Sequence, residues 1–114
     1  MRFMIMHYSN ADNEAGVPPN PETMQAVGQY MGEMAASGVF LAGEGVGPSS
    51  LGARVNFDDN GNATVIDGPF AEAKELIAGF GILECADKAE AIEHAKRFAK
   101  LVGTHRIDVR QVYS

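Results

Sequence analysis

Apolar and polar positions change their period several times along the chain, and each change marks an element. Residues Phe3 to Tyr8 are apolar on both faces of a two-residue repeat, which predicts a strand covered on both sides. The stretch from Asn10 to Asn20, rich in Asn, Asp, Gly and Pro, reads as a loop. Asn20-Pro21 then opens a helix, with Asn as N-cap and Pro at the first helical position. Met24, Val27, Met31 and Met34 recur at spacings of three and four and give that helix one apolar stripe. Gly38 closes it.

Val39 to Val46 reads as a second strand, interrupted by Gly43, Glu44 and Gly45. After a Gly-Pro-Ser-Ser loop, Ala53, Val55 and Phe57 alternate with Arg54 and Asn56. Asp58-Asp59-Asn60-Gly61 has the chemistry of a hairpin turn, and Ala63 to Ile66 returns as the partner strand. Leu76 to Cys85 forms a further strand region. Asp87, with Glu90 three residues on, starts a helix whose apolar side carries Ala91, Ile92, Ala95, Phe98, Ala99 and Val102; Gly103 ends it. Ile107, Val109 and Gln111 mark a last strand.

The order β-α-β-(hairpin)-β-α-β predicts an α+β fold: a ferredoxin-like split β-α-β unit with added hairpin strands, an antiparallel sheet and two helices on one face. Apolar strand residues pointing away from those helices need cover. Two sheets packed face to face would supply it, so a homodimer is expected.

At 114 residues, 46% of them apolar, the chain suits one domain spanning 1–114 with its own core. The net charge of −6 repels phosphate backbones and anionic surfaces, so neither nucleic acid nor membrane is expected as a partner. No stretch nears the roughly 20 apolar residues of a membrane span, and no secretory leader is legible at the start. The single cysteine, Cys85, excludes an intrachain disulfide and reads as a core residue. A reducing, cytoplasmic location is the expectation.

The densest chemistry lies in Asp67-Gly68-Pro69-Phe70-Ala71-Glu72-Ala73-Lys74-Glu75, just after a strand. Here the chain resembles the YCII-related proteins, in the branch named for its Asp-Gly-Pro-Phe motif. Met1 to Tyr8 is similar to the family's opening strand, and Ala42-Gly43-Glu44-Gly45-Val46 to its glycine-rich second strand. Val65 to Phe80 is similar to its signature segment, and Ile107 to Val112 to its close. The resemblance implies a dimeric α+β barrel, an architecture shared with small isomerases, monooxygenases and lactone-processing enzymes. It implies no single reaction. Some family members are fused to, or encoded beside, sigma-type transcription factors. A better-studied branch uses a His at the start of the first helix and an Asp near the end of the second. Those regions here read Pro21-Glu22-Thr23-Met24 and Lys96-Arg97-Phe98-Ala99-Lys100, so that dyad does not carry over.

Among the residues themselves, Asp67 either accepts from the amides of its own turn or stands at a cleft mouth as a general base. Gly68 and Pro69 shape the backbone. Glu72 and Glu75 share a face if their segment turns helically, where repulsion would raise one acid's pKa. Lys74 with these acids otherwise reads as a solvated turn. Glu44, between two glycines in a strand, faces either a wet sheet surface or a pocket. His7 shares a strand face with Phe3 and Ile5, as a satisfied core group or as a proton acceptor meeting Asp67 or Glu44 inside the barrel. Ser49 and Ser50 sit on a loop able to close over such a pocket. His94 reads as surface and His105 as structural. No metal-ligand spacing and no dinucleotide loop is present, so neither metal nor cofactor is expected. The expected function is cofactor-free acid-base catalysis on a small organic acid or lactone, through His7, Glu44, Asp67 and Glu72, on a ligand not written in the sequence. The alternative is a non-catalytic dimeric ligand-binding or regulatory module.

Overall fold

A computed structural model describes residues 1–70 and 72–113. The elements follow as β1 (Arg2–Tyr8), α1 (Ala11–Glu14), α2 (Pro21–Ala36), β2 (Phe40–Gly45), β3 (Ala53–Phe57), β4 (Ala63–Asp67), β5 (Ile77–Glu84), α3 (Lys88–Val102) and β6 (Ile107–Gln111). Two 3₁₀ turns, Ser49–Leu51 and Ala73–Glu75, flank the hairpin. The main sheet has the order β2-β5-β1-β6, with every pairing antiparallel. This is the expected split β-α-β arrangement.

The caps form as their residue types dictate. The Asn20 side chain accepts from Glu22 N–H at 2.8 Å, with Pro21 opening α2. At α3, Asp87 accepts from Glu90 N–H at 2.9 Å, while the Glu90 carboxylate reaches back to Ala86 N–H at 2.7 Å. Gly38 and Gly103 take the left-handed conformation at the helix ends, with φ of 81° and 73°.

Strand pairing decides which residues see the helices. Phe3, Ile5 and His7 pair with Leu83, Gly81 and Gly79, and this face carries the core. Phe3, Ile5 and Leu83 are buried against Met34 of α2 and Ala91 and Ala95 of α3, with Cys85 at the strand end. Met4 and Met6 pair with Ile82 and Phe80 on the opposite face, where all four are only half-buried.

The course of the elements differs from the sequence reading in two places. The loop after β1 contains α1, a single turn that the Asn10 side chain caps through Asn13 N–H at 2.8 Å. A helix of four residues is too short to show a periodic pattern. The hairpin strands β3 and β4 form a sheet of their own instead of extending the main one. Every residue of this arm is exposed, including Val55, Phe57, Val65 and Ile66. Its tip is the expected turn: Asp58 accepts from Asn60 N–H and Asn62 N–H, both at 2.9 Å, and these bonds hold its carboxyl below the usual range.

Candidate functional site

The glycines of the second strand find their purpose in pairing. Gly43 faces Gly81 across the sheet and Gly45 faces Gly79, and all four lie on the helix-covered side. Strand interiors lose stability at glycine, so a run of four marks a place where something must come close to main chain. A β-carbon on Gly79 would stand 2.6 Å from His7 Nε2, and one on Gly43 would stand 2.7 Å from the Phe80 carbonyl oxygen. On Gly45 it would meet nothing within 4 Å.

Above this bare floor lies a cavity of about 700 Å³. Met24, Val27 and Met31 of α2 form one wall and Phe98 and Val102 of α3 another, while Val17, Pro18 and Pro19 close an end. The α2 stripe is thus divided: Met34 enters the core, and the three residues before it line the cavity. The volume and the apolar walls suit a small organic molecule.

His7 is the ionisable side chain on the cavity's face of the floor. Its ring meets Phe98 edge-on, with centroids 5.3 Å apart and planes at 68°. Burial pushes its pKa below the ordinary 6.5, because desolvation disfavours the imidazolium. At neutral pH it is therefore a neutral imidazole with one nitrogen able to accept a proton. Asn10, Asn13, Thr23 and Thr104 add polar groups around it. Tyr8, next along β1, donates to Asp108 Oδ2 at 2.5 Å, and the Arg106 guanidinium lies 3.7 Å from its ring centroid. The bond to Asp108, with desolvation, raises the phenol's pKa. Arg106 also donates to the Lys74 carbonyl at 2.7 Å, tying the turn after the arm to this end of the sheet.

The other residues singled out in the sequence lie apart from His7. Glu44 pairs with Phe80, hence with Met6, on the face away from the helices. It is nonetheless among the residues that border the cavity. Asp67 ends β4 opposite Ala53, exposed on the arm. Among the described residues no donor reaches its carboxylate, so the turn-capping bond considered for it is not seen. Gly68, by contrast, is fixed by close approach. Its N–H donates to the Gly52 carbonyl at 3.0 Å, and a β-carbon there would lie 1.6 Å from the Ser49 carbonyl oxygen. The Gly68-Pro69 bond is cis. Phe70 follows under the Arg54 guanidinium, 4.5 Å from ring centroid to cation.

Glu72 is exposed ahead of the 3₁₀ turn and lines a separate hollow of about 460 Å³ with Tyr8, Asn10 and Arg106. Ser49 is buried, with its N–H donating to Glu14 Oε1 at 2.7 Å and its hydroxyl to Oε2. That clamp makes the loop an anchored support for the arm. Glu14 was not singled out in the sequence, since its partner lies 35 residues on and no local pattern announces the pair. His94 is half-buried rather than a surface residue, because Tyr30 and Glu90 pack about its ring. Among the described residues, no helix is long and apolar enough to cross a membrane.

Comparison with known proteins bears on the fold and the family. Over 99% of its length the chain superposes on 94% of the 5-chloro-2-hydroxyhydroquinone dehydrochlorinase TftG from Burkholderia phenoliruptrix AC1100, solved with 2,5-dihydroxybenzoquinone. The TM-score is 0.57 and the identity 16%, a likeness of fold. An uncharacterised protein of Rhizobium meliloti (strain 1021) is 47% identical over 36 residues. That match takes in 32% of this chain and 29% of the relative, so it spans under a third of that protein. The family model of the YCII-related domain matches residues 1–107, and the chain belongs to that family.

Proposed function

We propose that this protein is a cofactor-free acid-base enzyme acting on a small enolisable molecule of the lactone or enol class, with His7 as the proton acceptor. The observation that carries this reading is a neutral imidazole on a main-chain floor, inside an apolar-walled cavity of about 700 Å³. Apolar walls desolvate a bound ligand and strengthen every polar interaction within. A neutral imidazole there takes a proton from a carbon or oxygen acid and returns it to another atom of the same molecule. A flat oxygenated ring in TftG, a protein of the same fold, agrees with a ligand of this shape.

In this reading the chain acts as a homodimer. The half-buried Met4, Met6, Phe80 and Ile82 and the apolar residues of the arm form the surfaces a second copy covers. Glu44 and Asp67 lie along those surfaces, so they join the chemistry only through that association, while Glu72 borders the separate hollow beside Tyr8 and Arg106.

A thermal-shift screen of lactones, enols and hydroxyquinones tests the proposal. A ligand for the folded state adds about 2.7 kcal/mol at a hundredfold excess over its Kd. Turnover of a hit, abolished in His7→Asn with binding retained, supports the enzyme. Unchanged turnover in that variant overturns the role of His7. The second reading, a binding module without turnover, is favoured by the distance of the carboxylates from the imidazole. Saturable binding with no product from any hit would decide for it.

A further inference from the structure

A second group of side chains lies where the end of β5 meets the first turns of α3, among residues that do not line the cavity. Strand β5 ends at Glu84 and delivers Cys85, buried to 3% exposure, against the start of α3. Glu90 and His94 stand one turn apart on that helix and so share a face. The Cys85 sulfur, a Glu90 carboxylate oxygen and a His94 ring nitrogen all lie within 4.8 Å of one another.

Two of these groups are already oriented by outer hydrogen bonds. One Glu90 oxygen accepts from Ala86 N–H at 2.7 Å, which leaves the other facing His94 Nε2 at 3.7 Å. The Tyr30 hydroxyl lies 3.4 Å from His94 Nδ1 and 3.4 Å from the His94 carbonyl oxygen, on the ring edge away from the Nε2 that faces Glu90. Outer-shell partners of this kind hold ligands in metal sites. Ligands at 2.0–2.3 Å from a tetrahedral ion are about 3.3–3.8 Å apart. The carboxylate–imidazole pair has that spacing now, and the sulfur lies within 4.8 Å of both.

We propose that Cys85, Glu90 and His94 form a three-ligand site for a thiophilic divalent cation of the zinc class, with water as fourth ligand. Thiolate with imidazole and carboxylate is a donor set that selects such ions over calcium or magnesium. Binding replaces the Cys85 S–H bond by a sulfur–metal bond and releases that proton to solvent. The ion would join the end of β5 to the first turns of α3. It is independent of the His7 cavity and of any reaction there.

The test is titration of the full chain with Co²⁺, followed by displacement with Zn²⁺. The expected result is one equivalent bound with a cobalt–thiolate charge-transfer band. Glu90→Gln and His94→Gln should each weaken binding by tenfold or more, and Tyr30→Phe by about tenfold. Cys85→Ser should abolish the band, but it also alters the core. Glu90→Gln is therefore the decisive variant, since its amide oxygen still caps Ala86 N–H. Binding without the thiolate band, or with equal affinity in Glu90→Gln and His94→Gln, overturns the site.

Discussion

His7 lies across Gly79, its antiparallel partner, so closely that a β-carbon on the glycine would stand 2.6 Å from the imidazole Nε2. The missing side chain is what allows a histidine to lie flat on the sheet and still face a ligand. Gly79→Ala should therefore lift the ring off the floor and disturb its contact with Phe98. Overpacking of this kind costs about 1–3 kcal/mol. Denaturant unfolding should show that loss, and the NMR shifts of His7 and Phe98 should move together.

Gly45 offers the opposite experiment. A β-carbon there meets nothing within 4 Å, and the residue does not need a left-handed backbone. Gly45→Leu should grow into the cavity and leave stability within about 0.5 kcal/mol of the parent. Ligand affinity should fall at least tenfold. Calorimetry against any ligand found in the screen checks it, and undiminished binding would place the ligand elsewhere.

The pH dependence follows from burial of His7. Its folded pKa lies below the unfolded 6.5, so between those two values the unfolded chain binds more protons. Stability from this group is fully present above about pH 6.5 and is lost as pH falls toward the folded pKa. His7→Asn should flatten the fall in melting temperature over that range. A proton titration of the His7 ring by NMR reads the same shift directly.

Gly68 and Asp67 are neighbours with opposite expected sensitivities. Gly68→Ala drives a methyl into the Ser49 carbonyl, so the arm's base must move; about 1–3 kcal/mol of stability should go, with faster amide exchange in β3 and β4. Asp67→Asn should change stability by no more than about 0.5 kcal/mol, because its exposed carboxylate holds no donor among the described residues. A melting-temperature drop in Asp67→Asn to match Gly68→Ala would restore the turn-capping role.

The fold was legible because its determinants are local. Asn20-Pro21 and Asp87 with Glu90 start helices through bonds two to three residues long, and Gly38 and Gly103 end them through φ alone. Alternation placed Phe3, Ile5 and His7 on one face and Cys85 in the core, as found. The site was less legible, because it depends on register between strands distant in sequence. Glu44 stands beside Gly43 and Gly45 in the chain, yet pleating turns its side chain away from the cavity that they open. The hairpin's separation from the main sheet and the Glu14–Ser49 clamp are likewise long-range outcomes that no spacing encodes.

The glycine floor also divides labour along single strands. On β2 and β5 the positions under the cavity have no side chains, while Glu44, Phe80 and Ile82 between them all project from the other side. Substitutions at those intervening positions can reshape the outer surface of the sheet while leaving the inner one as uniform main chain. Over evolutionary time the outer face of the sheet and the floor of the cavity are therefore free to drift separately, although both are written in the same two strands.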